Sequence, residues 1–115
     1  MSADCLFCNI VQKQIPACII DETDDILAFK DIEPKAPVHI LVIPKKHIKS
    51  INDLKSSDKY LAGELILASK KIAKDQGIDS KGFRTIFNTN DDGGQTVYHI
   101  HMHIMGGRQM KWPPG

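Results

Sequence analysis

The sequence predicts an α+β fold: an antiparallel sheet of about five strands, with one long helix and a short N-terminal helix packed against it. Three observations point there. Short β-branched and apolar runs recur between polar turns, at Cys18 to Glu22, Ile26 to Asp31, Val38 to Ile43, Phe83 to Asn88 and Val97 to Met105. One apolar stripe, Leu61, Leu65, Ala68 and Ile72, recurs at i, i+4, i+7 and i+11, which is the spacing of a helix face. No internal repeat, low-complexity tract or Ser/Gly-rich linker divides the chain, so residues 1–115 are read as one domain with 106–115 as a C-terminal tail.

Each element follows from local chemistry. Cys5 to Val11 carries Leu6, Phe7, Ile10 and Val11 on one side of a helical turn or two, ending before Pro16. Cys18 to Glu22 and Ile26 to Asp31 flank the polar turn Thr23-Asp24-Asp25 and read as a hairpin, with Cys18 in the core. Pro34 and Pro37 forbid a central strand before Val38. From there Val38 to Ile43 reads as a buried strand closed by Pro44, and Lys45 to Lys49 as a surface connection whose two lysines are solvated. The main helix starts at Ser57 or Asp58 as N-cap and stops at Gly77. Two further strands, Phe83 to Asn88 and Val97 to Met105, are joined by the Asx- and Gly-rich segment Thr89 to Thr96.

Composition excludes several classes of function. At 115 residues, 42% hydrophobic and 25% charged, the chain has the make-up of an ordinary globular domain. A domain of this size removes roughly two-thirds of its unfolded surface from water. Its longest apolar runs fall far short of the roughly 18 residues of a spanning helix, so no membrane association is expected. The formal net charge of +1 gives no electrostatic case for nucleic acid. The opening Met1-Ser2-Ala3-Asp4-Cys5 carries no secretory pattern, and Ser2 is not the glycine that myristoylation needs. A cytoplasmic or nuclear address is therefore expected, with the 3 cysteines reduced or metal-bound rather than in a disulfide framework.

The chemistry concentrates in His99-Ile100-His101-Met102-His103-Ile104-Met105. In a strand, side chains at i, i+2 and i+4 share one face, so three imidazoles line up while Ile100, Met102 and Ile104 enter the core. At ~3.4 Å per residue, His99 and His101 stand about 7 Å apart and His99 and His103 about 14 Å apart. Such a flat row cannot close on one metal with bonds of ~2.0–2.1 Å. A catalytic or anion-binding row is the better reading, against a histidine-rich solvated face or a metal site. Just upstream, Asp92-Gly93-Gly94-Gln95-Thr96 offers unobstructed backbone N–H groups and a hydroxyl, which suits an anion nest; it is equally a plain turn flanked by two acids.

Cys5-x-x-Cys8 reads as inert buried thiols or as half of a zinc site, since no βαβ pattern places it as a redox motif. Zinc needs two further ligands, and His47 with one histidine of the row are the neutral candidates. His39, alone in an apolar strand, reads as a hydrogen-bonded structural residue ahead of a catalyst.

The run His-x-His-x-His with hydrophobic spacers resembles the histidine triad family, and the chain is similar to its Hint branch, the histidine triad nucleotide-binding proteins. The likeness extends over nearly the whole chain. It includes Ile15-Pro16-Ala17, Ala28 to Ile32, Ala36 to Ile48, Asp92 to Tyr98 and the ending Trp112-Pro113-Pro114-Gly115. Uridylyltransferase-like members carry Gln where this chain has His103, and the fragile histidine triad branch lacks the Trp-Pro-Pro-Gly ending.

The resemblance implies a homodimer of HIT-like domains that hydrolyses purine nucleoside 5′-phosphoramidates. His101 would be the nucleophile, forming a nucleotidyl-histidine that water cleaves. His103 with the backbone and hydroxyl groups of Gly94, Gln95 and Thr96 would hold phosphate oxygens, and Thr96, where many relatives have Ser, would help protonate the leaving amine. Asp31 would bind the ribose, Phe29 and Ile32 would flank the purine, Asn88 would contact the phosphate or ribose, and His39 would support the pocket. In members that keep the cysteine pair, the residues matching Cys5, Cys8, His47 and His99 surround a structural zinc. Alternatives are hydrolysis of dinucleoside polyphosphates with the same nucleophile, or a nucleotide-binding adaptor role toward a protein partner.

Overall fold

The computed structural model describes residues 4–115; Met1, Ser2 and Ala3, on which the expectation of no leader and no myristoylation partly rests, lie outside the described residues. Helix α1 spans Leu6–Val11, strands β1, β2 and β3 span Ile19–Glu22, Ile26–Lys30 and Val38–Pro44, helix α2 spans Lys59–Asp75, and β4 and β5 span Phe83–Phe87 and Met102–Gly106. Two short 3₁₀ turns, Ile51–Asp53 and Ser56–Asp58, precede α2. The strands form one five-stranded sheet in the order β1-β2-β3-β5-β4, antiparallel throughout.

Both faces of the sheet are covered, which is why β2 and β3 read as near-continuous apolar runs. Side chains alternate between the faces. Ile26, Ala28, Ile40, Val42, Met102 and Ile104 pack with Leu65, Ile72 and Ala73 of α2. Leu27, Phe29, Leu41 and Ile43 turn the other way and pack with Phe7, Cys8 and Ile10 of α1. In this register His103 faces Leu41, so the histidine belongs to the α1 side of the sheet.

Helix α2 ends as its sequence predicts. Gly77 takes φ +73°, its N–H bonds the Lys74 carbonyl at 3.1 Å, and the N–H of buried Ile78 bonds the Ala73 carbonyl at 3.0 Å. This is the left-handed stop that glycine alone enters without strain. At the other end Asp58 holds the N-cap position, but its carboxylate does not cap α2. It accepts instead from the Lys55 N–H at 2.9 Å and from Lys46 Nζ at 2.7 Å. Lys46 is thus not merely solvated: it neutralises a buried acid, and hydrogen bonds from Lys46 and Lys55 hold that carboxyl below the ordinary range. Lys45 likewise pairs with Glu22 at 2.8 Å.

Three expectations need correction. Cys18 is exposed and precedes β1, so it is not core. Leu6 is exposed, although Phe7 and Ile10 of the same helix are buried. The last strand begins at Met102, not Val97, and runs on through Gly106, which the sequence assigned to the tail. Its late start has a physical cause. Val42 pairs with Met102, so continued antiparallel register would set Pro44 against Ile100, and Pro44 has no N–H to give. The Ile100 N–H goes instead to the Ile48 carbonyl at 2.7 Å. His99 and His101 therefore lie on an irregular segment rather than in a flat row, and the ~7 Å strand spacing does not apply to them.

Candidate active site

Between α1, the β2–β3 connection and the start of β5 lies a cavity of about 440 Å³. Its apolar wall is made by Phe7, Ile10, Phe29 and Leu41, its polar end by Asp31, His39, Thr96, His101 and His103, and the 93% exposed Ile32 stands at its rim. The structure thus brings together, from residues far apart in sequence, most of those singled out above.

Hydrogen-bond partners fix which nitrogen of each imidazole carries the proton. The Lys35 N–H can only donate, so His39 Nδ1, 3.0 Å away, accepts and the His39 proton sits on Nε2. That Nε2 lies 2.9 Å from His103 Nδ1 and 3.4 Å from Asp31 Oδ2. Since it cannot accept, His103 Nδ1 must, and the His103 proton is left on Nε2. His101 has the opposite tautomer. Its Nδ1–H donates to the His99 carbonyl at 2.9 Å, leaving a lone pair on Nε2. Neither His101 Nε2 nor His103 Nε2 has a partner among the described residues. The two rings sit 5.0 Å apart, so the polar end of the cavity presents one nucleophilic nitrogen beside one N–H donor.

Electrostatics support this neutral arrangement. Burial lowers the affinity of His39, His101 and His103 for a second proton. For His103 the value drops to about 4, first through desolvation and then through the neighbouring His101 and His39. Burial thus favours the neutral ring at all three positions. Asp31, His39 and His103 also have the composition of a metal-ligand set. The Lys35 amide argues against that use, because it consumes the only His39 lone pair and turns the Nε2 that would face a metal into a donor.

A second cluster forms around His99. Cys5 Sγ, Cys8 Sγ, His47 Nδ1 and His99 Nδ1 all fall within 4.8 Å of one another. Sulfur-to-nitrogen distances are 3.3 to 3.5 Å, and the two imidazole nitrogens are 3.2 Å apart. Tetrahedral zinc with bonds of about 2.3 Å to sulfur and 2.0–2.1 Å to nitrogen separates its ligands by about 3.6 and 3.3 Å respectively. The donor set and spacing fit that ion. The fully buried His99 donates from Nε2 to the Pro44 carbonyl at 2.8 Å, which leaves Nδ1 as the ligating lone pair. Desolvation also holds His99 at about 4, keeping it neutral.

The glycine-rich loop behaves differently from an anion nest. The Gly94 N–H bonds the Asp91 carbonyl and the Gln95 N–H the Asn90 carbonyl, each at 3.0 Å. Gln95 is 6% exposed; its side chain donates to the Lys49 and Val97 carbonyls and accepts from the Asn90 N–H. Asn88 donates to the Gly93 carbonyl at 2.7 Å. Asn88, Gly94 and Gln95 do not line the cavity; Thr96 alone of the segment does so. A Cβ on Gly93 would lie 2.3 Å from the Thr89 oxygen, so glycine is required there by close packing. Phe7 escaped the sequence reading as a site residue. It lines the cavity and meets His101 edge-on, with ring centroids 5.1 Å apart at 89°. Its position between the two cysteines was the available signal.

The HIT domain profile matches residues 12–110. The chain belongs to the HIT domain family. It is similar to a HIT family hydrolase of Legionella pneumophila, with 53% identity, a TM-score of 0.96, and coverage of 97% of this chain and 100% of the other. An uncharacterized HIT-like protein of Synechococcus elongatus is 49% identical over 100% of both chains. A histidine triad nucleotide-binding protein from Candida albicans is 30% identical with a TM-score of 0.82, over 96% of this chain and 83% of that one. The matched region of this HIT protein includes His99, His101 and His103.

Proposed function

We propose that this HIT protein is a hydrolase of the Hint branch that cleaves the P–N bond of purine nucleoside 5′-phosphoramidates. The observation that carries the reading is the pair of opposite tautomers, a lone pair on His101 Nε2 beside an N–H on His103 Nε2. That pairing suits attack on an electrophile bearing anionic oxygens, and the similarity to a HIT family hydrolase and to a nucleotide-binding relative adds support.

In this mechanism His101 Nε2 attacks the phosphorus, the Nε2–P bond forms and the P–N bond breaks. The amine leaves with the Thr96 hydroxyl proton, which the attacking water of the second step returns, and the His103 N–H holds a phosphoryl oxygen. Water then attacks phosphorus, the Nε2–P bond breaks, and a nucleoside monophosphate departs. Asp31 takes the ribose hydroxyls, while Phe29 and exposed Ile32 enclose the purine.

Zinc held by Cys5, Cys8, His47 and His99 supplies a structural cross-link and takes no part in the chemistry. The protein acts as a homodimer: β4 is an edge strand, and beside it Phe87, Leu54, Ile66 and Ile51 line an apolar groove that a second copy would cover. We place it in the cytoplasm or nucleus, without nucleic-acid or membrane partners. No helix among the described residues is long and apolar enough to cross a membrane. The test is AMP release from adenosine 5′-phosphoramidate. Rapid release by wild type, abolished in His101→Ala, supports the reading; no release by wild type turns it toward dinucleoside polyphosphates or an adaptor role.

A further inference from the structure

We propose that the Cys5–Cys8 segment is a metal-locked positioning element for His101, so that occupancy of the four-ligand cluster sets the competence of the nucleophile. The inference rests on the reading of His101 as nucleophile and of the cluster as a zinc site. Two connections lead from the cluster to the same imidazole. The first is His99, whose Nδ1 faces the two sulfurs at 3.4 and 3.5 Å while its own carbonyl accepts the His101 Nδ1–H at 2.9 Å. A shift of the His99 backbone away from the cysteines, with the ring, would displace that carbonyl and release the His101 tautomer. The second is Phe7, which leaves α1 between the two cysteines and wedges its ring against three neighbours. Its centroid lies 5.1 Å from His101, 5.5 Å from Phe29 and 6.0 Å from His99.

Helix α1 has only 6 residues, too few to be stable alone in water, so its placement depends on its tertiary contacts: the core packing of Phe7, Cys8 and Ile10, and the two sulfurs. Its first turn is tied by Cys5 Sγ, which accepts the Cys8 N–H at 3.3 Å, and its placement against His47 and His99 is tied by both sulfurs. An ion that binds all four groups joins α1, the Lys45–Lys49 connection and the His99 segment at one point. Removing it takes away that shared point, and both connections to His101 loosen together. Phe7 and His99 are therefore positioning residues, and Cys5, Cys8 and His47 act through them.

The test follows the ¹⁵N ring resonances of His101, which distinguish Nδ1–H from Nε2–H and need no turnover. They are recorded beside zinc content, far-UV circular dichroism, and kcat and KM. Zinc-loaded protein is expected to show one zinc per chain and a single Nδ1–H tautomer. Chelated protein that keeps its sheet signal is expected to show a tautomer mixture, with kcat at least tenfold lower and KM changed less than threefold. Should chelation unfold the chain, the zinc-loaded Phe7→Leu variant takes its place: it keeps the metal, yet its His101 resonances shift and kcat drops severalfold. Identical His101 resonances with and without zinc in folded protein, or in Phe7→Leu when the chelated form unfolds, overturn the proposal. Absence of zinc uptake overturns it together with the metal reading. A His101 response to zinc without turnover of any phosphoramidate supports the coupling and overturns the substrate reading alone.

Discussion

His39 Nε2 lies 2.9 Å from His103 Nδ1, and this contact transmits the direction of one backbone amide, that of Lys35, to the proton position of a cavity imidazole. His39 is 7% exposed, lines the polar end of the cavity, and acts on the tautomer of His103 through that contact.

His39→Ala removes that donor and frees His103 to adopt either tautomer. Loss of one such buried hydrogen bond is worth about 1–3 kcal/mol, or roughly tenfold to a hundredfold in kcat. KM should change little. His39→Gln, whose amide can reach the same nitrogen as a donor, is expected to recover part of the rate in steady-state kinetics.

Acid should destabilise the fold through His103. An unfolded chain gains this proton near pH 6.5, whereas the folded chain does so only near 4. Between those values the unfolded state binds more protons, so stability falls as pH falls and the contribution is gone below about 4. Thermal melts of wild type and His103→Gln at pH 7 and pH 5 should show the smaller acid loss in the variant, which carries no imidazole to titrate at that position.

Zinc should stabilise the folded chain without affecting the chemistry directly. Free zinc at a thousandfold excess over its dissociation constant adds about 4 kcal/mol, on the order of 10–20 °C in Tm for a domain of this size. Chelation of wild type should lower Tm by that amount, and Cys8→Ala should show no zinc-dependent rise.

The loop before His99 should respond as packing, not as a phosphate site. Gly93→Ala would set a Cβ 2.3 Å from the Thr89 oxygen, and Gln95→Leu would strip partners from the Lys49 and Val97 carbonyls and the Asn90 N–H. Each should cost about 1–3 kcal/mol in urea unfolding. Nucleotide affinity of the folded fraction should stay near wild type.

Much of this architecture is legible in the sequence where one periodicity governs burial. The stripe Leu61, Leu65, Ala68 and Ile72 marks α2, and Gly77 marks its end, because helix packing and its stop are local facts. The alternation across β2 and β3 likewise sorts residues to two faces. Long-range effects were hidden. The start of β5 at Met102 depends on Pro44 standing opposite Ile100, a register that only the folded sheet defines. The resemblance implies a phosphate role for Gln95, yet its side chain bonds the Lys49 carbonyl, 46 residues away, a partner that only the folded chain supplies. Phe7 looked like ordinary core, and its contact with His101 spans most of the chain.

The most direct test of the account is a rapid acid-labile-phosphoramidate trap. The protein is mixed with a purine nucleoside phosphoramidate, quenched under alkaline denaturing conditions within the first turnover, and analysed by intact and peptide mass spectrometry. The account predicts a transient adduct of one nucleotidyl group on the peptide carrying His101, absent in His101→Ala. Product formation with no adduct at any time, and undiminished in His101→Ala, would contradict it.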